Sequence, residues 1–120
     1  MAQYEHLPIY RQAMQLVVHL EQVVKKFSRY NKYTLGSELR MQAHAVVALI
    51  IKANGERNRL ELLVELRDGI ERLKTTVRIA NEVKAFQTFP AFSTAVESLV
   101  SLGRQSEGWI KNVRGKQQDA

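Results

Sequence analysis

Asn58-Arg-Leu-Glu-Leu-Leu-Val-Glu-Leu-Arg-Asp-Gly-Ile-Glu-Arg-Leu-Lys-Thr-Thr-Val-Arg-Ile-Ala-Asn-Glu-Val-Lys-Ala-Phe86 decides the fold class of this 120-residue chain. Leu63, Leu66, Ile70, Leu73, Val77 and Ala80 recur within it every three or four positions, the spacing that lines one face of an α-helix. Gly69 is the one weak helix former. Asn58 with Glu61 three residues on makes an approximate capping box, so a helix is predicted over residues 58–86.

The same period appears three more times. Upstream, Leu39, Ala43, Val46, Ile50 and Ala53 predict a helix over 34–54, with Thr34 as N-cap and Asn54-Gly55 tolerating a left-handed C-terminus. Before it, Tyr10, Ala13, Val17, Leu20, Val24 and Phe27 predict a helix over 8–27, opened by Pro8 in a first turn where its missing N–H costs nothing. Downstream, Thr88 and Pro90 mark a start, and Phe92, Val96, Leu99, Gly103, Ser106, Ile110 and Val113 predict a helix over 89–113. Gly103 and Ser106 thin that stripe and leave room for a neighbouring backbone, and the tail 115–120 is expected to fray. Four helices of about 20 residues on short loops must return beside one another, so the expected fold is a single all-α domain over residues 1–120, an antiparallel up-down-up-down bundle.

The bulk numbers fit this and narrow the chemistry. A chain of this length buries roughly 65% of its unfolded surface, enough for one core without staples. With no cysteine there are no disulfides, no thiolate zinc sites and no thiol catalysis, and a reducing cytoplasm is the expected compartment. The start through Leu7-Pro8 lacks the basic and apolar regions of a secretory signal. The longest apolar run, Ala45 to Ile51, falls far short of the roughly 20 residues that span a bilayer, so no membrane role is expected.

A search for catalysis finds no constellation. His6, His19 and His44 stand apart from the i,i+3 and i,i+4 partners that helical metal sites use, apart from the incidental neighbour Glu5, and the paired Glu-x-x-His of di-iron bundles is absent. Every carboxylate lies off the apolar stripes, and no phosphate loop or nucleophile elbow occurs. The expectation is a protein that is not an enzyme and uses no cofactor and no metal. Trp109, beside Gly108, reads as a core or interface anchor.

Charge is more informative in its distribution than in its total of +6. Lys25, Lys26, Arg29 and Lys32 form an acid-free run interleaved with Tyr30 and Tyr33, the mixture of phosphate-holding cations and stacking aromatics that single-stranded nucleic acid sites use. The competing reading is a solvated interhelical loop whose tyrosines cap the bundle end. A second acid-free run holds Lys111, Arg114 and Lys116, and the up-down topology brings it to the pole of Lys52, Arg57 and Arg59. The third helix mixes signs instead, with Arg67–Glu71, Asp68–Arg72 and Arg78–Glu82 spaced as i,i+4 pairs. Met14, Leu16 and Val18 flank the first stripe and Val47, Leu49 and Ile51 the second, a surplus of aliphatics that implies self-association.

Several short strings, weak singly, are specific in their order. Leu7-Pro-Ile-Tyr10, Phe27-Ser-Arg-Tyr-Asn-Lys-Tyr-Thr-Leu-Gly36, Glu38-Leu-Arg40, Leu73-Lys74, Val77-Arg-Ile-Ala80, Gly103-Arg104 and Gly108-Trp-Ile-Lys111 resemble the accessory variability determinant (Avd) proteins of diversity-generating retroelements from Leu7 to about Val113. Ser28 departs from the proline common at that place in the family. The resemblance implies a homopentameric four-helix bundle that binds RNA or DNA and the cognate reverse transcriptase during mutagenic copying. For such a partner the fixed positive charge on the rigid outer face of the third helix makes Arg67, Lys74 and Arg78, with Arg104 of the fourth helix, the expected polymerase-docking residues, unless Glu71 and Glu82 already neutralise them. The rival resemblance is to bundle proteins encoded in 23S ribosomal RNA intervening sequences. Those carry Asn-Ile-Ala-Glu-Gly where this chain reads Lys52-Ala-Asn-Gly-Glu56, which favours the retroelement group. A generic oligomeric adaptor without a nucleic-acid role is the third alternative.

Overall fold

The computed structural model describes residues 3–119. A 3-10 turn, Gln3–His6, leads into α1 (Pro8–Val24), and four further helices follow: α2 (Arg29–Tyr33), α3 (Leu35–Gly55), α4 (Leu60–Glu82) and α5 (Phe89–Asp119). The four long helices close a ring in which α1 packs on α3 and α5, and α4 on the same two. Each short connection reverses the chain, which gives the antiparallel four-helix bundle demanded by the periodic stripes. There is no strand among the described residues. The bundle measures 52 × 29 × 21 Å, so its two ends are far apart relative to its girth.

The core follows the predicted stripes closely in α3 and α4. Leu39, Ala43, Val46, Ile50 and Ala53 meet Leu63, Leu66, Ile70, Leu73, Val77 and Ala80, all buried. In α1 the buried set is Ile9, Ala13, Leu16, Leu20 and Val24, so Leu16 belongs to the core and not to a surplus outer face. Tyr10 and Val17 are only half-buried. The sequence allowed either choice because apolar residues occupy adjacent helical positions there, and a helix of 3.6 residues per turn accepts a step of three or four.

In α5 the face is also rotated. Ala95, Leu99, Leu102, Ser106 and Ile110 point inward, Phe92 is half-buried, and Val96 is 36% exposed. Polar contact contributes to fixing this rotation: Gln12 of α1 donates to the hydroxyl of Ser98 at 3.1 Å.

The helix ends depart from the predicted bounds for identifiable reasons. The first helix stops at Val24, and Ser28 caps the short α2, its hydroxyl accepting from the Asn31 N–H at 3.4 Å. Thr34 precedes α3 but caps nothing; its hydroxyl donates back to the Tyr30 carbonyl at 2.8 Å. Asn58 does not cap α4, which is preceded by Arg59 with no side-chain cap. Gly55 stays helical, without positive φ. Thr88 does cap α5, accepting from the Ala91 N–H at 3.2 Å. That helix runs through Gly115 to Asp119, past the predicted end at Val113, where fraying was expected.

The left-handed residue at a helix end is instead Lys84, at φ 61°. The Ala85 N–H reaches back to the Ala80 carbonyl at 2.8 Å and the Lys84 N–H to Asn81 at 3.0 Å. These two bonds form a Schellman motif, which reverses the chain sharply after α4. Phe86 then packs edge-on against Phe27 and Phe92, closing that end of the core.

Candidate functional site: a basic furrow and two charged poles

Between α4 and α5 the packing leaves a long furrow. Its upper part, a cavity of about 340 Å³, has a floor of Val77, Leu99, Phe92, Val96 and Val100 and a polar side of Glu71, Lys74, Thr75 and Arg78. The lower part shares Glu71, Lys74 and Val100 and continues past Gly103 and Ser106, flanked by Arg67, Arg104, Glu107 and Lys111. All four residues expected to dock a polymerase, Arg67, Lys74, Arg78 and Arg104, therefore line one continuous feature.

Gly103 leaves open the middle of the furrow. A Cβ there would lie 3.2 Å from the Lys74 Nζ, with no backbone of another helix nearby, so the room at Gly103 is taken by a lysine side chain and not by a close backbone approach. Ser106 lies fully buried beneath, and its hydroxyl has no hydrogen-bond partner among the described residues.

The charges along α4 pair differently from the i,i+4 pattern. Glu71 accepts from Lys74 at 3.1 Å, and Arg67 lies 3.6 Å from its neighbour Asp68. The pairs Arg67–Glu71, Asp68–Arg72 and Arg78–Glu82 do not form among the described residues, and Arg78 and Arg104 make no ion pair there. Glu71 thus partly neutralises Lys74, while Glu82 makes no ion pair among the described residues.

The two other basic groups lie at opposite ends of the bundle. Lys25, Lys26 and Arg29 are exposed where α1 gives way to α2, and Lys32 is half-buried. Tyr30 and Tyr33 are 78% and 70% exposed, so they do not cap the bundle; the phenylalanine cluster does. Gln87 ties this end together by donating to the Lys26 carbonyl at 2.7 Å. At the far end Lys111, Arg114 and Lys116 are exposed, and the Arg59 guanidinium lies 5.9 Å over the Trp109 ring. That contact joins the turn before α4 to the C-terminal half of α5, as the topology required.

No carboxylate is buried among the described residues, and no group of three or more metal-ligating side chains occurs there. His19 bonds the Ala91 carbonyl at 2.8 Å, and because a carbonyl only accepts, the Nε2 of that ring carries the proton. Glu21 is the one displaced acid: the Arg40 guanidinium holds its carboxyl below the usual range, with His44 3.3 Å away adding to the effect. Arg40 uses a single Nε–H for both oxygens, at 2.5 and 2.9 Å, and both partners are partly exposed, so the pair ties α1 to α3 only weakly. No described helix is long and apolar enough to cross a membrane.

Fold and surface together define an all-α four-helix bundle whose distinctive features are a furrow and clustered positive charge. The bAvd-like family model matches residues 7–113, nearly the whole chain. The chain belongs to that family, the Avd accessory proteins of diversity-generating retroelements. No curated protein matches the sequence.

Proposed function

We propose that the protein is the accessory factor of a diversity-generating retroelement, binding template nucleic acid and the cognate reverse transcriptase so that mutagenic copying proceeds. The observation that carries this reading is the family match, which extends over all four long helices and not over one motif. Membership supplies the accessory role. The polymerase contact is supported by the convergence of Arg67, Lys74, Arg78 and Arg104 on one furrow, with Arg78 and Arg104 free of ion pairs among the described residues.

Guanidinium groups grip carboxylates with two parallel hydrogen bonds, and a helical platform holds them in place before the partner arrives. An acidic surface on the polymerase is thereby both steered and oriented. Nucleic acid is assigned to the poles, at Lys25, Lys26, Arg29 and the half-buried Lys32 or at Lys111, Arg114 and Lys116, whose cations can meet phosphates.

The test is co-purification with the cognate retroelement reverse transcriptase. Reversing Arg67, Lys74 and Arg78 to Glu is expected to abolish the complex while circular dichroism and particle mass stay unchanged. A triple variant that binds normally would remove the furrow as the docking site, and a wild-type chain that never binds the enzyme would remove the accessory reading.

A further inference from the structure

The furrow is more than a charged surface, because its floor is aliphatic. Val96 and Val100 are 36% and 40% exposed on a helix whose other large residues are mostly turned inward. A site for phosphates alone has no use for valines. Both sit beside Phe92, Val77 and Leu99, and the cationic side chains stand along the edges.

We infer that this furrow receives an acidic amphipathic α-helix of the partner polymerase, its aliphatic side chains seated between α4 and α5 and its carboxylates against Arg78, Lys74, Arg67 and Arg104. The inference rests on the accessory reading and specifies what part of the partner is recognised. Three features support a helical occupant. The furrow's lining runs from Phe92 to Lys111 along α5 and from Arg67 to Arg78 along α4, about 28 Å and about 16 Å, room for a helix of roughly three to five turns. Its walls are themselves helices, whose side-chain ridges accept a third helix by interdigitation. Gly103 removes the side chain at mid-length, where a third helix would otherwise be held off, and only the flexible end of Lys74 occupies that place.

The charge pattern sets the sign of the occupant. Arg67, Lys74, Arg78, Arg104 and Lys111 line the two cavities against Glu71 and Glu107, and Glu71 is engaged with Lys74. A carboxylate arriving from the partner would take over Lys74 and find Arg78 and Arg104 unpaired. Aliphatic side chains in the floor exclude water around those contacts, which strengthens them.

Photocrosslinking combined with two floor variants provides the test. Benzoylphenylalanine is placed at position 96 or 100 of the full chain, the reverse transcriptase is co-expressed, and crosslinked peptides are mapped by mass spectrometry. Crosslinks are expected in one polymerase segment bearing Asp or Glu at helical spacing around an apolar stripe. Val100→Asp and Gly103→Leu, which add a charge to the floor and bulk to the gap, are each expected to weaken the complex about thirtyfold or more, while Val100→Ile retains it. Both positions are at the surface, and circular dichroism of each variant checks the fold. Crosslinks to nucleic acid, to a second copy of the chain or to a segment without carboxylates would overturn the inference, as would wild-type affinity in both floor variants. Those outcomes leave the accessory reading intact. Absence of any complex with the wild-type chain removes the accessory reading and the occupant together.

Discussion

Gly36 occupies the first turn of α3 with no space beside it. A Cβ built there would stand 2.6 Å from Val24 Cγ1, 3.2 Å from the Asn31 carbonyl oxygen and 3.6 Å from Phe27 Cδ2. Valine has a stiff χ1, and Asn31 meets the site with backbone, so neither neighbour yields cheaply. Gly36→Ala gains up to about 1 kcal/mol of helix propensity but overpacks the junction of α1, α2 and α3 by more, typically 1–3 kcal/mol. The expected outcome is a net loss of roughly 1–2 kcal/mol in urea unfolding, and a variant as stable as the wild type would contradict the packing described. The sequence marked Gly36 only as part of a family string, because nothing local distinguishes a glycine needed for its missing side chain from one in a loop. Lys84 was equally illegible: lysine is a poor choice for a left-handed position, and the tertiary return of Ala85 into the core imposes it. Thr34 and Asn58 had the right residue type for caps, yet one hydroxyl bonds backward and the other helix opens a residue later.

At the level of elements, the buried faces of α3 and α4 are legible from their stripes, although their ends are not, and the furrow is not. Val96 continues the period from Phe92 and so has the position of a core residue in the sequence; only the packing of α5 against α1 and α4 reveals the rotation that exposes it. The cations of the furrow are legible from charge, whereas its aliphatic floor is not, because it depends on that rotation. The five-residue α2 lies below the length at which periodicity carries information. That segment nevertheless bears the next prediction. Lys25, Lys26, Arg29 and Lys32 lie off the core, and replacing all four by Gln is expected to leave the fold unchanged. If they hold phosphates, affinity for single-stranded RNA or DNA falls and the salt slope flattens by up to about 3, at ~0.7 per phosphate neutralised on a single strand. Filter binding across a salt series measures this. An unchanged slope would transfer the role to Lys111, Arg114 and Lys116, which lie at the other end of a molecule 52 Å long and cannot share one patch with the first group on the same chain.

For the whole molecule, the remaining question is what covers the outer face of α1 and α3. Leu16 is buried, Val47 and Leu49 pack against the core and Ile51 is half-buried, so of the surplus that suggested self-association only Met14, 36% exposed, and Val18, 50% exposed, remain outside, joined by Met41, 72% exposed beside the exposed Ala45 and Ala48. This face lies on helices that do not form the furrow, so a chain can bind its own copies there and keep the furrow open for another protein. Arg40 and His44 border it, drawn toward Glu21, which gives the apolar strip a polar margin of the kind interfaces carry. The pentamer that the resemblance implies would repeat the +6 of each chain five times, concentrating the poles into a field far stronger than one bundle presents. Light scattering is expected to give about 69 kDa, five chains of 13.8 kDa. Val18→Lys with Met41→Lys places two unpaired charges in the face and is expected to reduce the particle to smaller species without loss of helicity, because both side chains are already solvent-exposed in the single chain. A wild-type monomer at micromolar concentration would refute self-association itself, a stable dimer would reject only the number five, and a pentamer indifferent to the double substitution would move the interface to another face.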